Sequence, residues 1–188
     1  EHPMPEVASG GVLVKGCASG VNPSDVKRRA GWLNALMEYP EVVPHSDGAG
    51  VIMAVGEKVS KERLYERVWI YNGQWERSMG TAAEYIALPS EHAVHLHDNV
   101  GFLEGACLGV PACTAYHCVA SGGDLRGQQV LVQGGAGAVG AYAIQIAVLS
   151  GARVIATCST KEKADLALAM GASVTINYKS QNVVEEVM

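Results

Sequence analysis

The sequence predicts an α/β protein, a β-rich first half followed by half of a doubly wound parallel sheet. Three observations predict it. Short apolar stretches broken by Gly and Pro fill roughly the first hundred residues, which suits a compact β-rich domain. From residue 130 onward the order is strand, helix, strand, helix, strand, a βαβαβ series with right-handed crossovers expected. Between the first of those strands and its helix stands Gly135-x-Gly137-x-x-Gly140.

Each element has its own signal. Residues 10–20 read as a strand closing in a turn. Val21-Asn22-Pro23-Ser24-Asp25 starts a short helix, because Asn and Ser cap helices and Pro is tolerated in the first turn. Residues 48–55 form an apolar strand, and 66–71 and 83–88 are further short strands. Residues 103–120 are mostly apolar without alternation and predict a buried helix that Pro111 kinks or splits. After a loop at 121–127, the parallel sheet takes strands at 130–132, 154–156 and 174–176. The helix at 138–149 is apolar almost all round, which predicts burial on more than one side, and Gly151 stops it. A second helix spans 161–170. A complete sheet of this kind has about six strands, so the sequence reads as part of a longer protein.

Composition bounds the function. Hydrophobic residues make up 48% and charged residues 18%, enough for a real core. The net charge of −5 offers no basic footprint, so no nucleic acid is expected as a partner. No apolar run reaches the roughly 18 residues of a membrane span. Five cysteines, with no C-x-x-C pair, predict reduced thiols in the cytoplasm. Cys113 and Cys118, on the predicted helix, are expected to be buried as small hydrophobes.

The glycine turn suggests a dinucleotide. Glycines let the backbone approach a pyrophosphate, and the new helix offers free N–H groups. The flanking strand and helix supply the context that this motif requires. The second strand then runs Ala156-Thr157-Cys158-Ser159-Thr160-Lys161-Glu162-Lys163, with no acid at its tip to grip a ribose 2′-hydroxyl. Hydroxyls and lysines would instead bind a 2′-phosphate by charge-assisted hydrogen bonds, so NADPH is predicted over NADH. The alternative is that Ser159 caps the helix and both lysines are solvated surface.

Four ordered segments join the turn: Gly20-Val21-Asn22-Pro23-Ser24-Asp25, Pro44-His45-Ser46-Asp47-Gly48-Ala49-Gly50-Val51, Gly80-Thr81-Ala82-Ala83-Glu84-Tyr85, and Pro111-Ala112-Cys113-Thr114-Ala115-Tyr116. Together they resemble the zinc-free quinone oxidoreductases of the medium-chain dehydrogenase/reductase superfamily, the zeta-crystallin-like branch. The resemblance implies a chaperonin-10-like (GroES-like) catalytic domain over 1–101 and a Rossmann domain over 102–188, both incomplete. It implies Asn22 and Thr114 beside the nicotinamide as catalytic and cofactor-binding residues. Gly135, Gly137, Ala138, Val139 and Gly140 would hold the pyrophosphate, and Ser159, Lys163 and Tyr178 the 2′-phosphate. Zinc enzymes of the superfamily place Cys, His and Cys where this sequence has Asn22, Ser46 and Val110, so no metal is expected.

The implied reaction is zinc-independent hydride transfer from NADPH, held in the cleft between the domains, to a quinone or an α,β-unsaturated carbonyl. The alternatives are a non-catalytic NADPH-binding sensor, an RNA-binding relative, which the net charge does not support, and a zinc-free alcohol dehydrogenase. Relatives are commonly homodimers or homotetramers. His92, His95 and His97 are expected to be ordinary surface histidines, and His45 a structural one. Tyr65-Glu66 replaces the Gly-Asp common in relatives, so that turn is expected to be built differently.

Overall fold

In the computed structural model, residues 2–31 and 39–188 are described, and two units emerge, Glu1–Val110 and Pro111–Met188. In the first, β1 (Gly11–Gly20) pairs antiparallel with β2 (Asp47–Val55), and β2 with β3 (Arg67–Ile70). β4 (Tyr85–Pro89) takes the other side of β1, and a three-residue β5 (Ala93–His95) closes on β3. The sheet order is β4-β1-β2-β3-β5. Val12, Val14, Ile52, Val68, Ile70, Ile86 and Leu88 interlock as its core. Burying each such side chain contributes roughly 1.5–3 kcal/mol. Asn22 caps a short α1 (Pro23–Arg29), with Pro23 in the first turn as the sequence predicts.

The long apolar segment is two helices, α2 (Phe102–Gly105) and α3 (Gly109–Ala120). The break precedes Pro111, which falls in the first turn of α3, where its missing N–H costs nothing. The expectation of a buried helix is corrected. Of α3 only Gly109, Pro111, Ala115 and Val119 are buried, and Cys113 and Cys118 are exposed, as are Cys17 and Cys107. A high apolar content had hidden a one-sided helix.

In the second unit β6 (Gln129–Val132), β7 (Arg153–Cys158) and β8 (Val174–Asn177) pair in parallel, in the order β6-β7-β8. α4 (Ala138–Leu149) and α5 (Lys161–Ala169) pack on this sheet, and α6 (Val183–Val187) follows β8. Gly140, Ala143, Ile144 and Ala147 are the buried stripe of α4, while Leu149 is 87% exposed. Burial on more than one side is therefore not found among the described residues. An all-apolar helix permits burial on every face, but the three-stranded sheet supplies one surface to meet it. No helix of the described residues is long and apolar enough to cross a membrane.

Tyr65 adopts a left-handed backbone (φ 66°), a conformation open to Gly at little cost, and its side chain is 72% exposed. Glu66 beside it holds Arg63 at 2.6 Å and reaches His95 at 3.3 Å.

Candidate functional site

Chemistry gathers in one group of residues in each unit. In the second unit the chain leaves β6 and turns into α4. Gly137 is the N-cap, with an extended backbone, and its carbonyl accepts the first helical bond from the Ala141 N–H at 2.8 Å. The amides of Ala138, Val139 and Gly140 are thereby left without acceptors inside the helix. Three such donors at the positive end of a 12-residue helix suit a phosphate. A Cβ at Gly140 would lie 2.3 Å from the Gly134 carbonyl oxygen, so only glycine allows the turn to fold back this tightly. Gly135 is buried behind the turn.

β7 holds that turn in place. The Gly134 N–H donates to Thr157 Oγ1 and the Gly135 N–H to the Thr157 carbonyl, both at 3.0 Å. Thr157 is 4% exposed. Next to it the buried Cys158 thiol donates to the Lys163 carbonyl at 3.4 Å and interacts with the Ala136 N–H. Burial pushes this thiol's pKa up, against the pull of Ala136 and the nearby Lys163 ammonium. Cys158 therefore stays protonated and ties the turn to the start of α5.

At the tip of β7, Thr160 rather than Ser159 caps α5, its hydroxyl accepting from the Lys163 N–H at 3.3 Å. The sequence offered two adjacent hydroxyls, and the register of the helix start selects the second. The alternative role for Ser159 is thus removed. Lys161 reaches Asp165 at 2.8 Å, one helical turn on, whereas Lys163 makes no ion pair among the described residues. The Glu162 carboxylate bends back onto its own N–H and the Thr160 hydroxyl, which hold its pKa below the usual carboxylate range. Tyr178, 52% exposed, follows β8, and its N–H donates to the Cys158 carbonyl at 3.2 Å. A cavity of about 780 Å³ lies against Gly134, Thr157, Tyr178 and Val184. The donors here fit a dinucleotide carrying a 2′-phosphate: backbone amides for the pyrophosphate, then the Lys163 ammonium with the hydroxyls of Ser159 and Tyr178 at the ends of the neighbouring strands.

In the first unit the centre is Asp47, 1% exposed at the head of β2. Asn22 Nδ2 donates to Asp47 Oδ2 at 2.7 Å. The Val110 N–H, in the first turn of α3, reaches both carboxylate oxygens at 2.9 and 2.8 Å. Gly109 gives the carboxylate room, since a Cβ there would stand 2.1 Å from Asp47 Oδ1. Burial raises the pKa of Asp47, while the bonds from Asn22 and Val110 oppose the rise. Asn22 is 6% exposed, and its N–H donates to Asp25 Oδ2 at 2.7 Å.

A second network uses the main chain of the same residue. Thr81 Oγ1 donates to the Asp47 carbonyl, and Ser19 Oγ lies 2.9 Å from both Thr81 Oγ1 and His45 Nδ1. With the Thr81 proton committed, the Ser19 proton goes to Thr81, and His45 donates from Nδ1. His45 has φ 78°, in the left-handed region.

Of the residues singled out from sequence, Gly135, Gly137, Ala138, Val139 and Gly140 share the turn, and Ser159, Lys163 and Tyr178 cluster near the ends of β7 and β8. Asn22 lies in the first unit and Thr114 on α3, exposed and without a side-chain hydrogen bond among the described residues. The remaining histidines have separate partners: His92 stacks on Tyr71 and meets Arg77, His95 meets Glu66, and His97 meets Asn99. Sequence reasoning passed over Asp47, Thr157 and Cys158. Asp47 had a visible signal, a lone carboxylate heading the apolar run Gly48-Ala49-Gly50-Val51-Ile52.

The chain is similar to known proteins. Residues 8–98 match the alcohol dehydrogenase GroES-like domain, and residues 138–188 match the family described as zinc-binding dehydrogenase. The chain is 35% identical over 187 residues to a 2-methylene-furan-3-one reductase of Solanum lycopersicum, covering 95% of this chain and 47% of that protein. It is 35% identical over 178 residues to the quinone oxidoreductase of Homo sapiens, covering 94% and 52%. Among solved structures, the Escherichia coli quinone oxidoreductase complexed with NADPH aligns over 99% of this chain and 56% of its own, with a TM-score of 0.85 at 26% identity. The chain spans about half the length of the curated relatives it matches.

Proposed function

Because this chain belongs to the medium-chain dehydrogenase/reductase superfamily, with quinone oxidoreductases among its relatives, we propose that it is an NADPH-dependent, metal-independent reductase of quinones and α,β-unsaturated carbonyls. One observation carries the cofactor choice: Lys163 has no counter-ion among the described residues, while its neighbour Lys161 is neutralised by Asp165. Together with Ser159 and Tyr178 it offers charge and hydroxyls to a 2′-phosphate, and the Glu162 carboxylate beside it is turned back onto its own N–H and the Thr160 hydroxyl. Ala138, Val139 and Gly140 receive the pyrophosphate on their amides.

Bound NADPH supplies the hydride. The chain's own task is then to stabilise negative charge growing on the acceptor oxygen. Thr114 supplies a hydroxyl hydrogen bond for that task, and Asn22, its donor end held by Asp47, turns its carbonyl outward to orient cofactor or substrate. Support for a metal-free route comes from the donor set: the Asn22 amide is committed to Asp47, and Val110 has no side-chain donor atom for zinc. Support for the acceptor class comes from the relatives, since a 2-methylene-furan-3-one is a conjugated enone.

The test is NADPH oxidation followed at 340 nm with 9,10-phenanthrenequinone and with a short enone. Turnover with NADPH well above that with NADH, unaffected by a chelator, is the expected result. NADH preference refutes the role of Lys163, and loss of activity with a chelator refutes the metal-free route.

A further inference from the structure

Resting on that reading of Asn22, we propose that Asp47 is a positioning residue that locks the Asn22 side-chain amide in one orientation, N–H inward and carbonyl away. The inference starts from what each group can do. A buried carboxylate only accepts hydrogen bonds, and an amide presents a donor end and an acceptor end. The 2.7 Å contact therefore engages the donor end of Asn22. The second claim on the carboxylate, from the Val110 N–H at 2.8 and 2.9 Å, fixes where that carboxylate stands.

The site leaves no freedom to rearrange. Asn22 and Asp47 are 6% and 1% exposed. Gly109 and Gly20 crowd the aspartate, with Cβ positions 2.1 Å from its Oδ1 and 2.9 Å from its Cβ. Turning the Asn22 amide over would set its oxygen against a carboxylate oxygen. Asp47 thus binds together two of the three positions that hold metal ligands in the zinc enzymes, the side chain of residue 22 and the backbone of residue 110. A carboxylate with two donors performs the cross-linking that a metal would otherwise perform, and it decides which atoms Asn22 has left to offer.

Exchanging amide and acid tests this without emptying the site. In Asp47→Asn the new amide can present either its carbonyl or its N–H to Asn22, so Asn22 keeps a hydrogen-bonding partner but loses both the charge on that partner and the lock on its orientation. In unliganded 188-residue chain labelled with ¹⁵N, one Asn22 side-chain proton should resonate downfield in the wild type, as a charge-assisted donor does, and should lose that shift in Asp47→Asn. Activity should fall by about tenfold or more in kcat, with the KM for NADPH and the melting temperature little changed.

The double exchange Asn22→Asp with Asp47→Asn keeps a donor–acceptor pair but has no amide at position 22. Here kcat should stay low while stability stays near that of Asp47→Asn. An Asn22 proton that stays downfield in Asp47→Asn, or recovery of kcat by the double exchange, overturns the proposal. So does a parallel loss of stability and kcat, which marks a purely structural role. The resonance is read without substrate, so a wild-type chain that shows the shift but never oxidises NADPH refutes the function reading alone.

Discussion

Replacing Lys163 by alanine tests how the adenosine end of NADPH is held, and its size follows from geometry and charge. Lys163 follows the cap residue Thr160 by three positions, close enough to Cys158 for its charge to lower that thiol's pKa. It is exposed, so a water-like dielectric applies. One ammonium about 4 Å from a dianionic phosphate then gains about 2 kcal/mol. Ordering a flexible lysine takes back a few tenths to half a kcal/mol, a fraction of its rotamer entropy. The remainder, about 1.5 kcal/mol, is roughly tenfold in dissociation constant.

Lys163→Ala should therefore weaken NADPH binding about tenfold at low salt and leave NADH binding unchanged. Lys161→Ala, which removes a side chain already paired with Asp165, should change NADPH binding by less than about threefold. Fluorescence titration of the reduced cofactors measures all four values. Equal effects of the two substitutions, or an equal loss of NADH and NADPH affinity in Lys163→Ala, would refute the reasoning, because the difference between these lysines lies in their counter-ions.

Other predictions follow from single contacts. Gly140→Ala places a Cβ 2.3 Å from the Gly134 carbonyl oxygen, so the turn must open, and NADPH and NADH binding should both fall by about a hundredfold, as for loss of several charge-assisted bonds. Because the folded pKa of Asp47 is raised above its ordinary value of 3.8, the stability it contributes is full below that value and is lost as pH rises through the folded pKa. Asp25 and His45 are the charged groups that face it, with opposite effects. Urea unfolding from pH 3.5 to 7 should show the wild type losing stability relative to Asp47→Asn across that window. At His45, with φ 78°, the glycine variant should be more stable than the alanine variant by about 1 kcal/mol, since both lose the Ser19 bond but only Gly relieves the backbone. Equal denaturation midpoints for the two would contradict this.

The elements were legible where a local rule dictates structure. The turn at 135–140 is one: glycine spacing, an apolar strand before and a helix after leave few alternatives. The first half reads as strands because apolar runs alternate with turns. Beyond such rules, legibility fails for physical reasons. Ser159 and Thr160 are equivalent as sequence, and only the start of α5 decides that Thr160 caps it. Pro111 signals a break, but the break falls earlier, because proline is welcome in a first helical turn. The contact between Asn22 and Asp47 spans 25 residues and that between Asp47 and Val110 spans 63, so no local pattern announces the buried carboxylate. The lysines at 161 and 163 look alike until the turn of α5 brings Asp165 under one of them.

A crystal structure with bound NADPH is the most direct test of the central claim, that Ser159, Lys163 and Tyr178 hold the 2′-phosphate while the amides of 138–140 hold the pyrophosphate. The expected result is phosphate density within about 3 Å of Lys163 Nζ and of a hydroxyl from Ser159 or Tyr178. A 2′-phosphate turned to solvent with Lys163 unengaged, or a pyrophosphate bound away from the start of α4, would contradict it.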